Sequence, residues 1–364
     1  MKGYLYLFLM YMLLSFTLNS VAQINSFLAE SVHSISTGGA LLTVSGDEIL
    51  IFSNPAGLVD IENSKLTALY FGATFNIDSI KTIFELNSAY NEANDLAKLS
   101  AESINKLQNY NSTLLVIPVS FVYVHPGIAL SFLRSGLSVK TKFDRNDKES
   151  IINISAVGDS MISGSFGFQI IDGLSAGGNV KYIYRLKMDE NNVNDLINSK
   201  YTVFLGRYIG ADVGILWEKD TLNFGLLIAD ILGTNLTWNK EISESKFSNI
   251  EKPFDTKIDR TLNFGVSYRP EWKLTKYPDV PKSMVFALGI NGIHSISRNV
   301  NIGMEMELFH WLFLRMGVSD GLRIGVGFKV NMWLINLVYA TRLRNKYFDY
   351  TTNNNIGFSV AFSY

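Results

Sequence analysis

From residue 283 onward the chain alternates bulky apolar residues with small or polar ones, and this two-residue period constrains the fold more than any other feature. Met284, Phe286, Leu288 and Ile290 fall on one side of an extended strand, and Val285, Ala287, Gly289 and Asn291 on the other. Val300, Ile302, Met304, Met306 and Leu308 then oppose Asn301, Gly303, Glu305 and Glu307. Leu312, Leu314, Met316 and Val318 oppose Phe313, Arg315, Gly317 and Ser319. Leu322, Ile324, Val326, Phe328 and Val330 oppose Arg323, Gly325, Gly327 and Lys329. Side chains of a strand point alternately to its two faces, so each of these segments has one greasy face and one small or charged face.

Alternation alone fits two architectures. A β-sandwich buries the apolar face in its core and wets the other, whereas a transmembrane barrel shows the apolar face to lipid and turns the other into its lumen. Strands of about 10 residues suit the barrel. So do aromatic residues near strand ends, at Tyr184, Trp217, Tyr268, Trp311 and Trp333. The chain then finishes with Phe358, Val360, Phe362 and Tyr364 on one face and an aromatic last residue. That ending resembles the C-terminal signal by which outer-membrane barrels are recognised for insertion.

The other end carries a targeting segment. Lys2 precedes residues 3–18, which are uncharged and mostly apolar, and small residues at Ser20 and Ala22 place a cleavage between Ala22 and Gln23. Residues 1–22 are therefore expected to be a signal peptide. Beyond Gln23 the longest uncharged apolar run, residues 113–124, is broken by Pro118 and falls short of a helical span. The remaining chain is expected to cross a membrane with strands.

Candidate strands lie near 64–75, 113–124, 128–140, 150–171, 174–187, 201–217, 221–230, 260–269, 283–293, 299–308, 311–319, 321–330, 332–343 and 355–364. The expected fold class is thus all-β, an antiparallel transmembrane barrel of about 14 strands, an even number that returns both termini to one side. Short connections such as His125-Pro126-Gly127, Asp172-Gly173 and Glu218-Lys219-Asp220 alternate with long ones, although 270–282 is longer than the rule predicts. In the first long connection, 79–110, Ala93, Leu96, Ala97, Ser100, Ile104 and Leu107 recur at helical spacing, which predicts an amphipathic helix in an external loop.

Charge and chemistry narrow the function classes. With 32 basic and 33 acidic residues there is no field to attract nucleic acid. The absence of cysteine removes thiolate metal sites and thiol nucleophiles. The histidines, His33, His125, His294 and His310, are scattered, at no metal-ligand spacing and without an obvious nucleophile partner, and read as turn or rim residues. No catalytic residue, metal or cofactor is expected, and the chain is not read as an enzyme.

Between the cleavage point and the first strand stand Gly38-Gly39-Ala40 and then Gly46-Asp47-Glu48-Ile49-Leu50-Ile51-Phe52-Ser53-Asn54-Pro55-Ala56-Gly57-Leu58. This stretch resembles the N-terminal hatch of FadL-like outer-membrane transport proteins, most sharply at Asn54-Pro55-Ala56. Asn before Pro favours a turn or extended chain, and Pro-Ala-Gly makes a compact bend able to sit in a lumen. Phe313-Leu314-Arg315-Met316-Gly317 and Gly325-Val326-Gly327-Phe328-Lys329 look like strands of the PorV/PorQ-like branch of that superfamily. The resemblance implies a hatch or plug over 23–62 and a barrel over 63–364, sited in a bacterial outer membrane.

It also implies a function. The expected activity is a channel or transporter for hydrophobic compounds such as long-chain fatty acids, gated by Asn54, Pro55, Ala56, Gly57 and Leu58. Lumen charges Glu305, Glu307, Arg315, Arg323 and Lys329 would fix the hatch at rest or pair among themselves. The expected partners are outer-membrane lipid, the barrel-assembly machinery and a hydrophobic small-molecule ligand, with no nucleic acid. The alternative is a PorV-like barrel that transports nothing and serves protein secretion or surface attachment, with a secretion-system partner.

Overall fold

The computed structural model describes residues 32–40, 42–43, 53–93, 107, 112–117, 120–145, 150–192, 203–242, 256–258, 260–271, 281, 283–292, 300–345 and 350–364. The expected signal peptide lies outside the described residues. Among them, a single antiparallel sheet closes on itself as a 14-strand barrel.

The strands are β1 (Lys65–Asn76), β2 (Ser112–Ile117 and Ser120–His125), β3 (Ile128–Arg145), β4 (Ser150–Ile171), β5 (Leu174–Asn192) and β6 (Val203–Lys219). They continue as β7 (Leu222–Ala229 and Asn235–Ile242), β8 (Thr256–Lys257 and Thr261–Tyr268), β9 (Ser283–Asn291) and β10 (Val300–Leu308). The barrel finishes with β11 (Leu312–Val318), β12 (Leu322–Val330), β13 (Trp333–Asn345) and β14 (Tyr350–Ser363). Three of these are described in two pieces, and the two pieces of each share a neighbour. The two pieces of β2 both pair with β1 and β3. The halves of β7 are separated by a bend at Asp230–Thr234 and both pair with β6.

Closure is made by the chain's last residues. β14 pairs with β1 from Thr67↔Ser363 to Asn76↔Asn355, and Leu66 and Tyr364 exchange backbone hydrogen bonds of 2.8 and 2.9 Å. A closed sheet leaves no edge with unpaired backbone groups, as lipid requires. Phe358, Val360 and Phe362 face outward, and Trp333 stacks obliquely on Phe362 at 4.9 Å.

The two faces differ as the period predicts. Outward positions such as Ile162, Phe166, Ile209, Leu288, Ile302 and Met316 are exposed and apolar, whereas the interleaved inward positions carry glycine, serine, asparagine and paired charges together with one apolar cluster. The interior is polar and the exterior greasy, the inverse of a soluble sandwich. Tyr184, Trp217, Tyr268, Trp311 and Trp333 all stand on the outside. No described helix is long and apolar enough to cross a membrane.

Strand length is uneven. β3 to β6 run for 18, 22, 19 and 17 residues, while β9 to β12 have 9, 9, 7 and 9. A strand needs only about 10 to cross the hydrocarbon, so the β3–β6 wall stands taller at the long-loop end. Beside it sits a helix, Ile77–Ala93, in the connection from β1 to β2. Asn76 starts that helix: its Oδ1 accepts from Ser79 N at 3.1 Å and also from Thr113 N at 3.1 Å, tying helix to β2.

Candidate functional site

The N-terminal segment enters the lumen as a short helix, α1 (Val32–Ser36), turns through Thr37, Gly38 and Gly39, and reappears at a 3-10 turn, Pro55–Asp60. Asn54 caps that turn and is fully buried. Its Oδ1 accepts from Ala56 N at 3.2 Å, and its Nδ2 donates to Leu42 O at 3.3 Å and to Ile215 O of β6 at 3.2 Å. One side chain thus folds the turn, holds it to the rest of the hatch and fastens both to the wall. Pro55 follows at the first helical position, where a missing N–H costs nothing. Leu58 O accepts from Gly127 N at 3.0 Å, and Leu58 and Ile61 pack on Val122, Val124 and Ala129 of β2 and β3.

The hatch can lie this close because the wall beneath it is glycine. Register pairs Gly167 with Gly177 and Gly177 with Gly214, and farther round it pairs Gly225 with Gly265, Gly265 with Gly289, and Gly303 with Gly317. A Cβ on Gly177 would stand 2.5 Å from the Pro55 carbonyl carbon and 2.6 Å from Ala56 N. One on Gly214 would collide with Asn54 Oδ1, and one on Gly317 with Gly38 N. Gly225 and Gly265 face Leu42 and Thr43, and Gly303 faces Thr37. The described hatch residues therefore trace a backbone-to-backbone track from β4 to β11, each step allowed by a residue with no side chain.

Of the five lumen charges named from the sequence, Glu305 contacts α1 of the hatch. Glu305 accepts from Arg315 Nε at 2.5 Å and lies 2.7 Å from His33 Nε2 of α1, so it holds the other end of the hatch. Arg315 also donates to Asn336 Oδ1 at 2.7 Å, and Asn336 to Ser359 Oγ at 3.2 Å, carrying the network to β14. Glu307 accepts from Ser283 Oγ at 3.2 Å, Arg323 is buried in the lumen, and Lys329 is exposed near the short-turn end of β12. Sequence reasoning placed His33 at a turn or rim; it is buried inside the barrel, and only the fold brings it to Glu305.

A second polar group was not anticipated. On β4 to β7, Lys181 Nζ lies 2.9 Å from Asp212 and 3.0 Å from Asp230 at the β7 bend, and Arg185 makes a two-pronged contact with Asp159 at 2.7 Å. Toward the long-loop end, Met161, Ile183, Phe204, Tyr208, Leu236 and Trp238 form a buried apolar cluster facing inward. Cross-strand partners give the order along the wall: Gly167↔Gly177 at the hatch, then Ser165↔Asn179, Ser163↔Lys181, Met161↔Ile183 and Asp159↔Arg185. Polar and apolar layers alternate above the plug.

The letters Gly-x-Ser-x-Gly occur at residues 173–177 and 317–321. Both fall at hairpins between strands, with no strand-to-helix turn to present the serine as a nucleophile. Among the described residues there is no group of acidic or histidine side chains placed to hold a metal ion.

No protein family and no curated sequence matches the chain. Solved structures do. The Pseudomonas putida toluene transporter TodX superposes with a TM-score of 0.54 at 13% identity, over 95% of this chain and 99% of that one. The two chains share one barrel fold. Two deletion mutants of the TodX monoaromatic hydrocarbon channel agree, at TM-scores of 0.51 and 0.50 and identities of 14% and 13%. They cover 92% and 93% of this chain and 98% and 99% of theirs.

Proposed function

We propose that this protein is an outer-membrane channel for hydrophobic compounds whose N-terminal hatch is the gate. The carrying observation is the glycine seat: a plug packed backbone to backbone across the lumen, beneath an inward apolar cluster. A hydrophobic solute leaving water gains by entering such a cluster, and it can go no farther until the plug shifts. The likeness to a toluene transporter supports an apolar cargo, and long-chain fatty acids belong to the same class.

Two further features support the reading. The ladder is irregular beside the hatch, with register slips between Phe121 and Val122 and between Ser131 and Arg134. A weakened ladder at that height offers cargo a sideways path into lipid. Ile83 and Phe84, exposed on the helix over the β1–β2 connection, offer an apolar first contact outside. In this reading the greasy outer band meets outer-membrane lipid, the aromatic C-terminal strand is recognised by the assembly machinery, and the chain performs no chemical step.

The test is uptake of labelled toluene and of a labelled long-chain fatty acid by cells with and without the gene. Expression should raise uptake of at least one. A barrel present at the surface with no change in either would refute transport and favour the secretion or attachment role.

A further inference from the structure

Four serine hydroxyls are buried on the inner face beside the hatch and the apolar cluster, Ser120 level with Met161 and the others nearer the hatch. Ser120 on β2, Ser131 on β3, and Ser163 and Ser165 on β4 have 0, 1, 4 and 4% of their surface exposed. None of the four Oγ atoms has a hydrogen-bond partner in the protein. The register makes them one patch: Ser131 is the cross-strand partner of Ser163, Ser165 lies two residues along on the same face, and Ser120 is two residues from Val122, the partner of Ser131. Buried hydroxyls are rarely left without partners, because each one stripped of water and given nothing in return destabilises the fold. Four on adjoining strands mark a place built for polar contact with something besides protein.

The surroundings restrict what that is. Lys181, the cross-strand partner of Ser163, is already committed to Asp212 and Asp230, and Arg185 to Asp159. Lys181 and Arg185 together face three carboxylates, so an anion beside them meets hydroxyls and fixed negative charge. An uncharged hydroxyl or carbonyl group meets donors and acceptors with no such penalty. Two residues beyond Ser163 on the same face stands Met161, paired with Ile183 in the apolar cluster.

We infer that Ser120, Ser131, Ser163 and Ser165 bind the polar end of an uncharged amphiphile, while its apolar body lies against Met161, Ile183 and their neighbours. This rests on the channel reading and names its cargo: neutral hydrophobic molecules bearing one hydrogen-bonding group, in preference to carboxylates of the same size.

The experiment uses the full-length barrel in nanodiscs and equilibrium dialysis of three labelled probes of one shape, toluene, benzyl alcohol and benzoate. Comparing each probe between proteins cancels its own hydration. The variants are Ser131→Ala with Ser163→Ala, and Ser163→Thr, which keeps a hydroxyl. Because the serine hydroxyls have no protein partner, the alanine variant should fold as the parent does, which its heat-modifiable migration checks. It should bind benzyl alcohol about tenfold more weakly, the loss of roughly one net hydrogen bond, with toluene unchanged. Ser163→Thr should keep the parent affinity, and benzoate should bind most weakly throughout.

Benzyl alcohol binding that is unchanged in the alanine variant, or that falls together with toluene, would overturn the inference and leave the channel standing. Benzoate binding more tightly than benzyl alcohol would overturn the preference for neutral cargo. Failure of the parent protein to bind either toluene or benzyl alcohol would overturn inference and channel together.

Discussion

Replacing Gly177 with alanine should unseat the hatch. The added Cβ would stand 2.5 Å from the Pro55 carbonyl carbon and 2.6 Å from both Pro55 O and Ala56 N, all backbone atoms that no rotamer change can move aside. Ordinary contact begins near 3.4 Å, so the turn must lift by about 1 Å, enough to stretch the Asn54 bonds to Ile215 O and Leu42 O beyond useful length. Overpacking of this kind costs about 1–3 kcal/mol and each neutral hydrogen bond about 1 kcal/mol. A total near ~3 kcal/mol corresponds to about a hundredfold more of the unseated form. The assay is open time in planar bilayers, with Gly164→Ala as control. That residue lies on the same strand as Gly167, and its Cβ would meet only Leu130 Cδ2 at 3.6 Å. Gly177→Ala should raise open time greatly and Gly164→Ala should not. Equal, closed behaviour of the two would refute the glycine seat as the plug's anchor.

Other perturbations separate the two ends of the hatch. Asn54→Ala removes three hydrogen bonds and leaves the Leu42 and Ile215 carbonyls without that donor; the expected loss of about 2–3 kcal/mol should show as faster proteolysis of the hatch and a lower unfolding temperature. His33→Phe should free α1 from Glu305, raising protease sensitivity while the barrel's unfolding temperature holds, whereas Arg315→Met should lower that temperature by breaking a buried pair worth about 3 kcal/mol. Deleting Tyr364 removes its reciprocal backbone bonds with Leu66 at the closing seam, and the heat-modifiable, assembled fraction in membranes should fall. An unchanged assembled fraction would show that the seam closes without it.

The barrel was legible because its signal is local. Two-residue alternation survives in any short window, so each candidate strand has a counterpart in the structure, whereas the stretch of β7 beyond the Asp230 bend, Asn235–Ile242, had no candidate. The Asn54-Pro55 turn was legible for the same reason, since capping and a fixed φ are properties of adjacent residues. Partnerships across the wall were not. Lys181 and Asp212 are 31 positions apart and meet only through the β5–β6 register, in which Asn179 faces Asp212. The glycines at 167, 177 and 214 are likewise far apart in the chain, and only register aligns them under Pro55. His33 escaped because nothing in its neighbourhood announces a carboxylate far along the chain at Glu305.

The most direct test of hatch gating is a disulfide lock. An ideal Cβ on Gly289 stands 3.9 Å from that of Ala40, within the span of a disulfide, and the chain has no other cysteine to interfere. Ala40→Cys with Gly289→Cys should bond the hatch to β9 while the single variants stay free. Uptake of labelled toluene should then be lost in the oxidised double variant, return on reduction, and be normal in both singles. Undiminished uptake through the oxidised, locked barrel would contradict the account.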